Sequence, residues 1–255
     1  ESKEDMAMND ISTQNWTPPV FEIDGCDTLP KLFRQNCRKF GSAIAIRERD
    51  FGIWEEYTWT DYYHRSRQAG CALMALGVDA GDVVAIISED NKEWVFSDLG
   101  IQCIGAVTHG LYPTLQEKQV AYQLNDSGAK VLFVEDEEQL DKYLLVQDEL
   151  PGIEKVVVYD MEGLRRFEHD KVMGWEAFLE LANDSDARIQ AAFESRLDAG
   201  KGEDIATLIY TSGTTGAPKG AMISHRFFLA QADNHPEMPL GPGDEILTFL
   251  PLCHA

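Results

Sequence analysis

The sequence predicts an α/β protein built on a mostly parallel sheet with helices on its faces. Short apolar runs such as Val83-Val-Ala-Ile-Ile87 and Lys130-Val-Leu-Phe-Val134 are the first sign, because strands buried on both faces need no polar alternation. Segments with helical spacing between those runs are the second. The third is a capping residue or a glycine at the boundaries of those segments, which marks where each helix begins or stops.

In chain order, residues 1–27 form a lead-in, whose first nineteen are polar, Pro-ended and expected to fray. From Thr28 the spacing of Leu29, Leu32, Phe33 and Cys37 predicts a helix. Ala43–Arg47 alternates toward a strand, with Ile53–Trp59 as its hairpin partner and Phe51-Gly52 near the turn. Thr60 is expected to cap a helix through Tyr63, Ala69, Leu73 and Leu76 that stops at Gly77. The strand 83–87 is followed by an Asn91-capped helix to about Gly100, a short strand near Ala106, a Thr114-capped helix to Leu124 and the strand 130–134. A helix through Leu140, Tyr143 and Leu144 and a strand Lys155–Tyr159 come next. Residues 160–201, polar with helical patterns at 175–181 and 187–197, read as surface elaboration, and Ala199–Asp204 as a linker. The four carboxylates Glu135–Glu138 read as a solvated helix start favoured by the helix dipole, since consecutive residues on a helix diverge.

Composition narrows the function. With 22 Lys plus Arg against 44 Asp plus Glu in 255 residues, the net charge is −22, so a protein that coats nucleic acid through a basic face is excluded. A hydrophobic content of 44% supports a sizeable core rather than a disordered acidic tail. The five cysteines are widely spaced without a Cys-x-x-Cys, which indicates neither a disulfide framework nor a zinc site and makes a reducing cytoplasm the expected location. No apolar run approaches the ~18 residues of a membrane span, and Glu1-Ser-Lys-Glu-Asp5 lacks the features of a signal peptide. A start without Met and the apolar ending Leu250-Pro-Leu-Cys-His-Ala255 read as imposed ends.

The chemistry concentrates after the strand Ile205-Ala-Thr-Leu-Ile-Tyr210, which runs directly into Thr211-Ser-Gly-Thr-Thr-Gly-Ala-Pro-Lys219-Gly220. Glycines at 213, 216 and 220 let the backbone turn and approach a ligand, hydroxyls from Thr211 to Thr215 supply donors, and Lys219 supplies a positive charge. That set suits a polyphosphate. The Walker loop is a poor match: counted from Gly213, Pro218 precedes the lysine and Gly220 stands where the magnesium-binding hydroxyl should be. A Ser/Thr/Gly-rich surface hairpin is the other reading of the residues themselves.

Tyr210-Thr-Ser-Gly-Thr-Thr-Gly-Ala-Pro-Lys-Gly220 resembles the signature of the AMP-forming acyl-CoA synthetase and ligase superfamily, matching its pattern at every position. Phe249-Leu-Pro-Leu-Cys-His254 is similar to the family's next motif. Glu89-Asp-Asn-Lys-Glu-Trp-Val-Phe96, Gly105-Ala-Val and Leu111-Tyr-Pro-Thr-Leu115 resemble long-chain fatty acyl-CoA synthetases within it, whereas Val107-Thr-His-Gly110 is more polar than the family's usual version. The resemblance covers most of residues 28–255 and implies the N-terminal part of the large AMP-binding domain, incomplete at its C-terminus and without the small C-terminal domain.

What the resemblance implies is an ATP-dependent ligase that joins a fatty acid to AMP and then transfers the acyl group to coenzyme A, with Mg2+ assisting. Thr211, Ser212, Gly213, Thr214, Thr215, Gly216 and Lys219 would hold the β- and γ-phosphates, and His254 would lie beside the acyl substrate and the α-phosphate. Phe227 and Phe228 fall where such enzymes line an acyl tunnel, although core packing of a helix explains them equally well. His225 reads as a helix-start residue, while His64, His109, His169 and His235 lack metal-ligand spacing, so no metal ligand is nominated. Motifs that complete the family's active site would follow Ala255, so the 255 residues alone are expected to turn over poorly or not at all. Expected partners are small molecules, with peripheral membrane contact compatible with a lipid substrate. An enzyme with another carboxylate or acceptor, and a silent nucleotide-binding module, are the alternatives.

Overall fold

Alternate residues of the strand Val83–Ile87 face opposite ways, and both ways lead into apolar packing. Val84 and Ile86 join one core cluster, Ala85 and Ile87 the other, and all four are fully buried. This two-sided burial organises the computed structural model, which describes residues 21–182, 186–211, 216–233, 241 and 243–254. The expected fraying of residues 1–19 lies outside those residues.

The elements are α1 (Leu29–Phe40), β1 (Ile44–Asp50), β2 (Ile53–Thr58), α2 (Trp59–Ala75), β3 (Val83–Ile87), α3 (Lys92–Cys103), β4 (Val107–Leu111), α4 (Glu117–Ser127), β5 (Val131–Val134), α5 (Glu137–Val146), β6 (Lys155–Val158), β7 (Val172–Gly174), α6 (Trp175–Glu180), α7 (Ala187–Ala199), β8 (Ile205–Thr211), β9 (Lys219–Ser224) and α8 (His225–Asp233). β1 and β2 form the separate hairpin that the sequence predicts. The other seven strands make one sheet in the order β7-β6-β5-β3-β4-β8-β9, parallel throughout except for the antiparallel pair β8–β9. The first cluster packs α2, α3, α6 and α7 against one face, and the second packs α4 and α5 against the other.

Three expectations need correction. Thr58, not Thr60, caps α2: its hydroxyl accepts from the Asp61 amide at 3.1 Å while Asp61 Oδ2 accepts from the Thr58 amide at 2.9 Å. The Thr60 amide is already donated to the Gly41 carbonyl, so Thr60 lies inside the first turn. The Thr58 hydroxyl also donates to Asp61 Oδ2 at 2.5 Å, and this bond, with that from the Thr58 amide, favours the charged form and holds the Asp61 carboxyl below the usual range. Thr58→Ala is expected to lower stability by about 1 kcal/mol, read from the denaturant midpoint at unchanged m-value.

The second correction concerns Thr114, which sits in a turn closed by Leu115 N donating to Tyr112 O at 3.0 Å. Pro113 fixes that turn, so α4 starts later, with Gln119 Oε1 accepting from the Gln116 amide at 3.0 Å. By contrast α1 starts after Thr28, Asn91 caps the start of α3 and Gly77 follows the end of α2, as expected.

The third concerns residues 160–201, which are far from a surface appendage. They add β7 to the sheet edge, and Trp175, Phe178, Leu179, Phe193 and Leu197 are buried in the first core cluster. Nor is the stretch after α7 a free linker: the Gly200 carbonyl accepts from Lys31 Nζ at 2.8 Å and the Gly202 carbonyl from the Arg226 amide at 2.8 Å. All five cysteines are buried free thiols, and no helix among the described residues is long and apolar enough to cross a membrane.

Candidate functional site

In open parallel sheets ligands gather beyond the C-terminal ends of the strands, where successive connections diverge. Here β4 lies on one side of β3 and β5 on the other, so the chain reverses direction across β3. Both segments singled out from the sequence reach that edge of the sheet.

The first is the glycine-rich loop. β8 lies between β4, with which it is parallel at Thr108↔Thr207 and His109↔Leu208, and β9, with which it is antiparallel. Thr211 therefore faces Lys219 across the mouth of the β8–β9 connection, and both are exposed. Gly216 has φ +117 with nothing within 4 Å of a built Cβ, so glycine is required there by backbone conformation rather than by space. At Gly220 the reason is space: a Cβ would stand 3.0 Å from the Tyr210 ring opposite. Ser212, Gly213, Thr214 and Thr215 lie outside the described residues.

Tyr210 is held from two sides. Its ring stacks on the His109 imidazole of β4, centroids 4.7 Å apart at 29°, and its hydroxyl donates to Asp126 Oδ2 at 2.7 Å. Burial and the Asp126 bond push its phenol pKa up, so it stays a donor. His109 is fully buried, with Nδ1 3.1 Å from Ser127 Oγ, and burial lowers its pKa to about 4. The polar departure noticed at residues 107–110 is thus a neutral imidazole supporting the strand that enters the loop.

The second segment is 250–254. The Leu252 amide donates to Asp90 Oδ1 at 2.8 Å, beyond the end of β3, and Cys253 packs on Gly110 in β4, where a Cβ would sit 2.9 Å from Cys253 Cα. Those two contacts leave His254 exposed, its ring 6.3 Å from that of Tyr112 just after β4. Lys219 thus stands opposite the end of β8 and His254 lies beyond the end of the neighbouring β4, 35 positions apart in sequence.

Carboxylates line the other half of this edge. A crevice of about 540 Å³ is bordered by Glu89, Thr114, Glu117, Glu135, Asp136 and Lys142. Asp136 caps α5, and Glu137 and Glu138 are exposed in its first turn, as a solvated helix start requires. Glu135 differs: its Oε2 accepts from the Glu89 amide at 2.7 Å, and burial raises its pKa. Among the described residues no group of three or more His, Cys, Asp or Glu is arranged to hold a metal ion. No protein ligand for the expected Mg2+ is therefore assigned among these residues.

His225 opens α8 as expected and is buried, with its Nδ1 unpaired. Phe227 is exposed and touches Phe228 edge to face, while Leu229 is the buried apolar residue of that helix, so core packing does not account for Phe227. Tyr122 and Asp126 had no signal in the sequence, because each reaches a flank of the loop only across the fold, by one hydrogen bond from α4 to Pro218 or Tyr210.

Comparison with known proteins gives the family and the fold. The family profile described as AMP-binding enzyme matches residues 33–255. A long-chain-fatty-acid–CoA ligase, FadD15 of Mycobacterium bovis, is 33% identical over 252 residues, covering 97% of this chain and 39% of the relative. The long-chain-fatty-acid–CoA ligase ACSBG2 of Xenopus laevis is 31% identical over 209 residues, covering 82% of this chain and 26% of the relative. This chain therefore spans between a quarter and two fifths of the length of these relatives. Among solved structures, the anthranilate CoA ligase AuaEII in complex with anthranoyl-AMP matches with a TM-score of 0.65 at 26% identity, covering 82% of this chain and 36% of that one. A long-chain-fatty-acid CoA ligase structure from Rhodopseudomonas palustris, titled as putative, shares the fold, with a TM-score of 0.70 at 24% identity over 89% of this chain and 52% of that one.

Proposed function

This chain belongs to the AMP-binding enzyme family, and on that premise we propose that its protein activates a long-chain fatty acid with ATP and transfers the acyl group to coenzyme A. The observation that carries the proposal is the loop whose flanks, Thr211 and Lys219, face each other beyond β8 at the sheet edge where parallel α/β folds take their ligands. The names of the curated relatives support the fatty acid as substrate and CoA as acceptor.

In the first step a carboxylate oxygen attacks the α-phosphorus of ATP; the bond to the bridging oxygen breaks and pyrophosphate leaves with the electron pair. In the second the CoA sulfur attacks the acyl carbonyl, AMP departs, and the thiol proton passes to solvent. The obstacle in the first step is charge, because two anions must meet while a third departs. In a protein of net charge −22 a local cation has a large task, and Lys219 supplies one at the mouth of the loop. Thr211 and Lys219 would bind the β- and γ-phosphates together with Ser212, Gly213, Thr214, Thr215 and Gly216, and His254 would face the acyl carboxylate near the α-phosphate.

The test is carboxylate-dependent exchange between ATP and pyrophosphate in the complete protein, scanned from short to long fatty acids with anthranilate included. Exchange that peaks with long chains supports the proposal; a peak with an aryl acid moves the substrate class toward that of AuaEII; none with any acid leaves a silent nucleotide binder. At subsaturating ATP, Lys219→Ala is expected to lower exchange at least about tenfold, the loss of a charge-assisted contact. The 255 residues alone are expected to give little or no turnover, and the cytoplasm is the proposed location, supported by five reduced, buried cysteines.

A further inference from the structure

Both described flanks of the glycine-rich loop are tied to the same helix. On the exit side, the Tyr122 hydroxyl donates to the Pro218 carbonyl at 3.0 Å. On the entry side, Asp126 accepts from Tyr210 at 2.7 Å. Tyr122 and Asp126 are four residues apart on α4, hence neighbours on one helix face. Ser127 and Gln123 of that helix meet His109, whose ring stacks on Tyr210.

Local energetics do not explain these residues. Asp126 lies in the last turn of α4, where the helix dipole disfavours a carboxylate, and that turn contains no basic residue to offset it. Tyr122 remains 38% exposed, so its ring contributes little to the core. Residues that break a local rule without a packing gain are expected where function imposes them.

We propose that Tyr122 and Asp126 are positioning residues that fix the entry and exit of the loop, so that less backbone freedom is lost when a polyphosphate is bound. The proposal rests on the nucleotide-activating function above. Ordering a loop opposes binding, and two hydrogen bonds from one helix hold residues 210 and 218 before the ligand arrives. Both bonds are to uncharged partners on the loop, so the effect falls on loop geometry and leaves the charge of Lys219 untouched.

The experiment uses the complete protein with Tyr122→Phe, Asp126→Ala and Asp126→Asn. Amide hydrogen exchange of Gly216, Ala217, Lys219 and Gly220 is followed without ligand, beside the ATP KM and kcat of the pyrophosphate exchange reaction. Loss of one hydrogen bond of typical strength corresponds to about fivefold, so Tyr122→Phe and Asp126→Ala are each expected to speed exchange of those amides and raise the ATP KM by about that factor, with kcat nearly unchanged. Asp126→Asn keeps an acceptor for Tyr210 and is expected to behave like the parent. A merely structural role would instead lower the global unfolding midpoint and leave local exchange alone. Unchanged exchange of those amides in both Tyr122→Phe and Asp126→Ala overturns the proposal, as does faster exchange with an unaltered ATP KM. Faster amide exchange in those variants, with a parent that ignores ATP, would uphold the attachment and defeat the nucleotide-activating function instead, so the two failures are distinguishable.

Discussion

Gly100→Ala is expected to destabilise the protein by about 2–3 kcal/mol, although alanine is the better helix former by about 1 kcal/mol. The reason is the crossing of α2 and α3. A Cβ on Gly100 would lie 2.7 Å from the Ser66 carbonyl oxygen, 2.9 Å from Ala69 Cβ and 3.0 Å from the Gly70 nitrogen. Two of those atoms are helix backbone and cannot swing aside as a side chain would. Gly70 returns the contact, its own Cβ position lying 2.8 Å from the Gly100 oxygen and 2.6 Å from the Phe193 ring of α7. Relief requires α3 to move away from α2, which opens the first core cluster around Ile101, Ile104 and Phe193. Overpacking thus outweighs propensity. Gly152→Ala is the control, since the nearest atom to its Cβ position is the Ala129 oxygen at 3.7 Å, and its midpoint should match the parent. Equal midpoints for Gly100→Ala and Gly152→Ala would show that the helices separate at no cost.

That crossing also shows where sequence patterns stop being informative. The strands were legible because burial on both faces leaves uninterrupted apolar runs, and β3, β5 and β6 each follow one. Helix stops at Gly77 and starts at Asn91 were legible because a left-handed glycine and an Asx cap act locally. Residues 160–201 were misread for the opposite reason. Trp175, Phe178, Leu179, Phe193 and Leu197 are few and set among charged residues, and their burial depends on a surface made by α2 and α3, including the notch at Gly70 and Gly100. The Thr58 and Thr60 error is of the same kind, because both can cap and the choice is made by Asp61 and by the Gly41 carbonyl.

The candidate site divides in the same way. Thr211, Gly216 and Lys219 announce themselves in one contiguous stretch, and His254 in a second. Tyr122, Asp126 and Asp90 do not, since each meets those stretches through contacts between 84 and 162 residues apart in sequence. A polar His109 inside a buried strand was visible as a departure from pattern, but only its stacking on Tyr210 ties it to the loop.

His109 and His225 also set the second large expectation, a loss of stability in mild acid. Burial lowers both pKa values from 6.5 to about 4, although Gln123 and Asp126 near the first and Asp204 and Asp27 near the second favour protonation. Between those values the unfolded chain holds a proton on each ring that the folded chain refuses. Stability is therefore fully present above pH 6.5 and is lost as pH falls toward 4, about 3 kcal/mol for each histidine. Glu93, Asp98 and Glu135 act in the opposite direction, because burial raises their pKa values and their cost of ionisation in the fold disappears in acid. The total curve mixes both signs, so the informative quantity is a difference between variants. His109→Gln keeps a polar group toward Ser127, and His225→Asn places a residue tolerated at a helix start. Each should flatten the dependence of unfolding free energy on pH by about 1.4 kcal/mol per unit near pH 5, and the double variant by about twice that. Parallel curves for parent and variants would mean that the fold lowers neither imidazole pKa, and the desolvation assigned to both buried rings would fall with them.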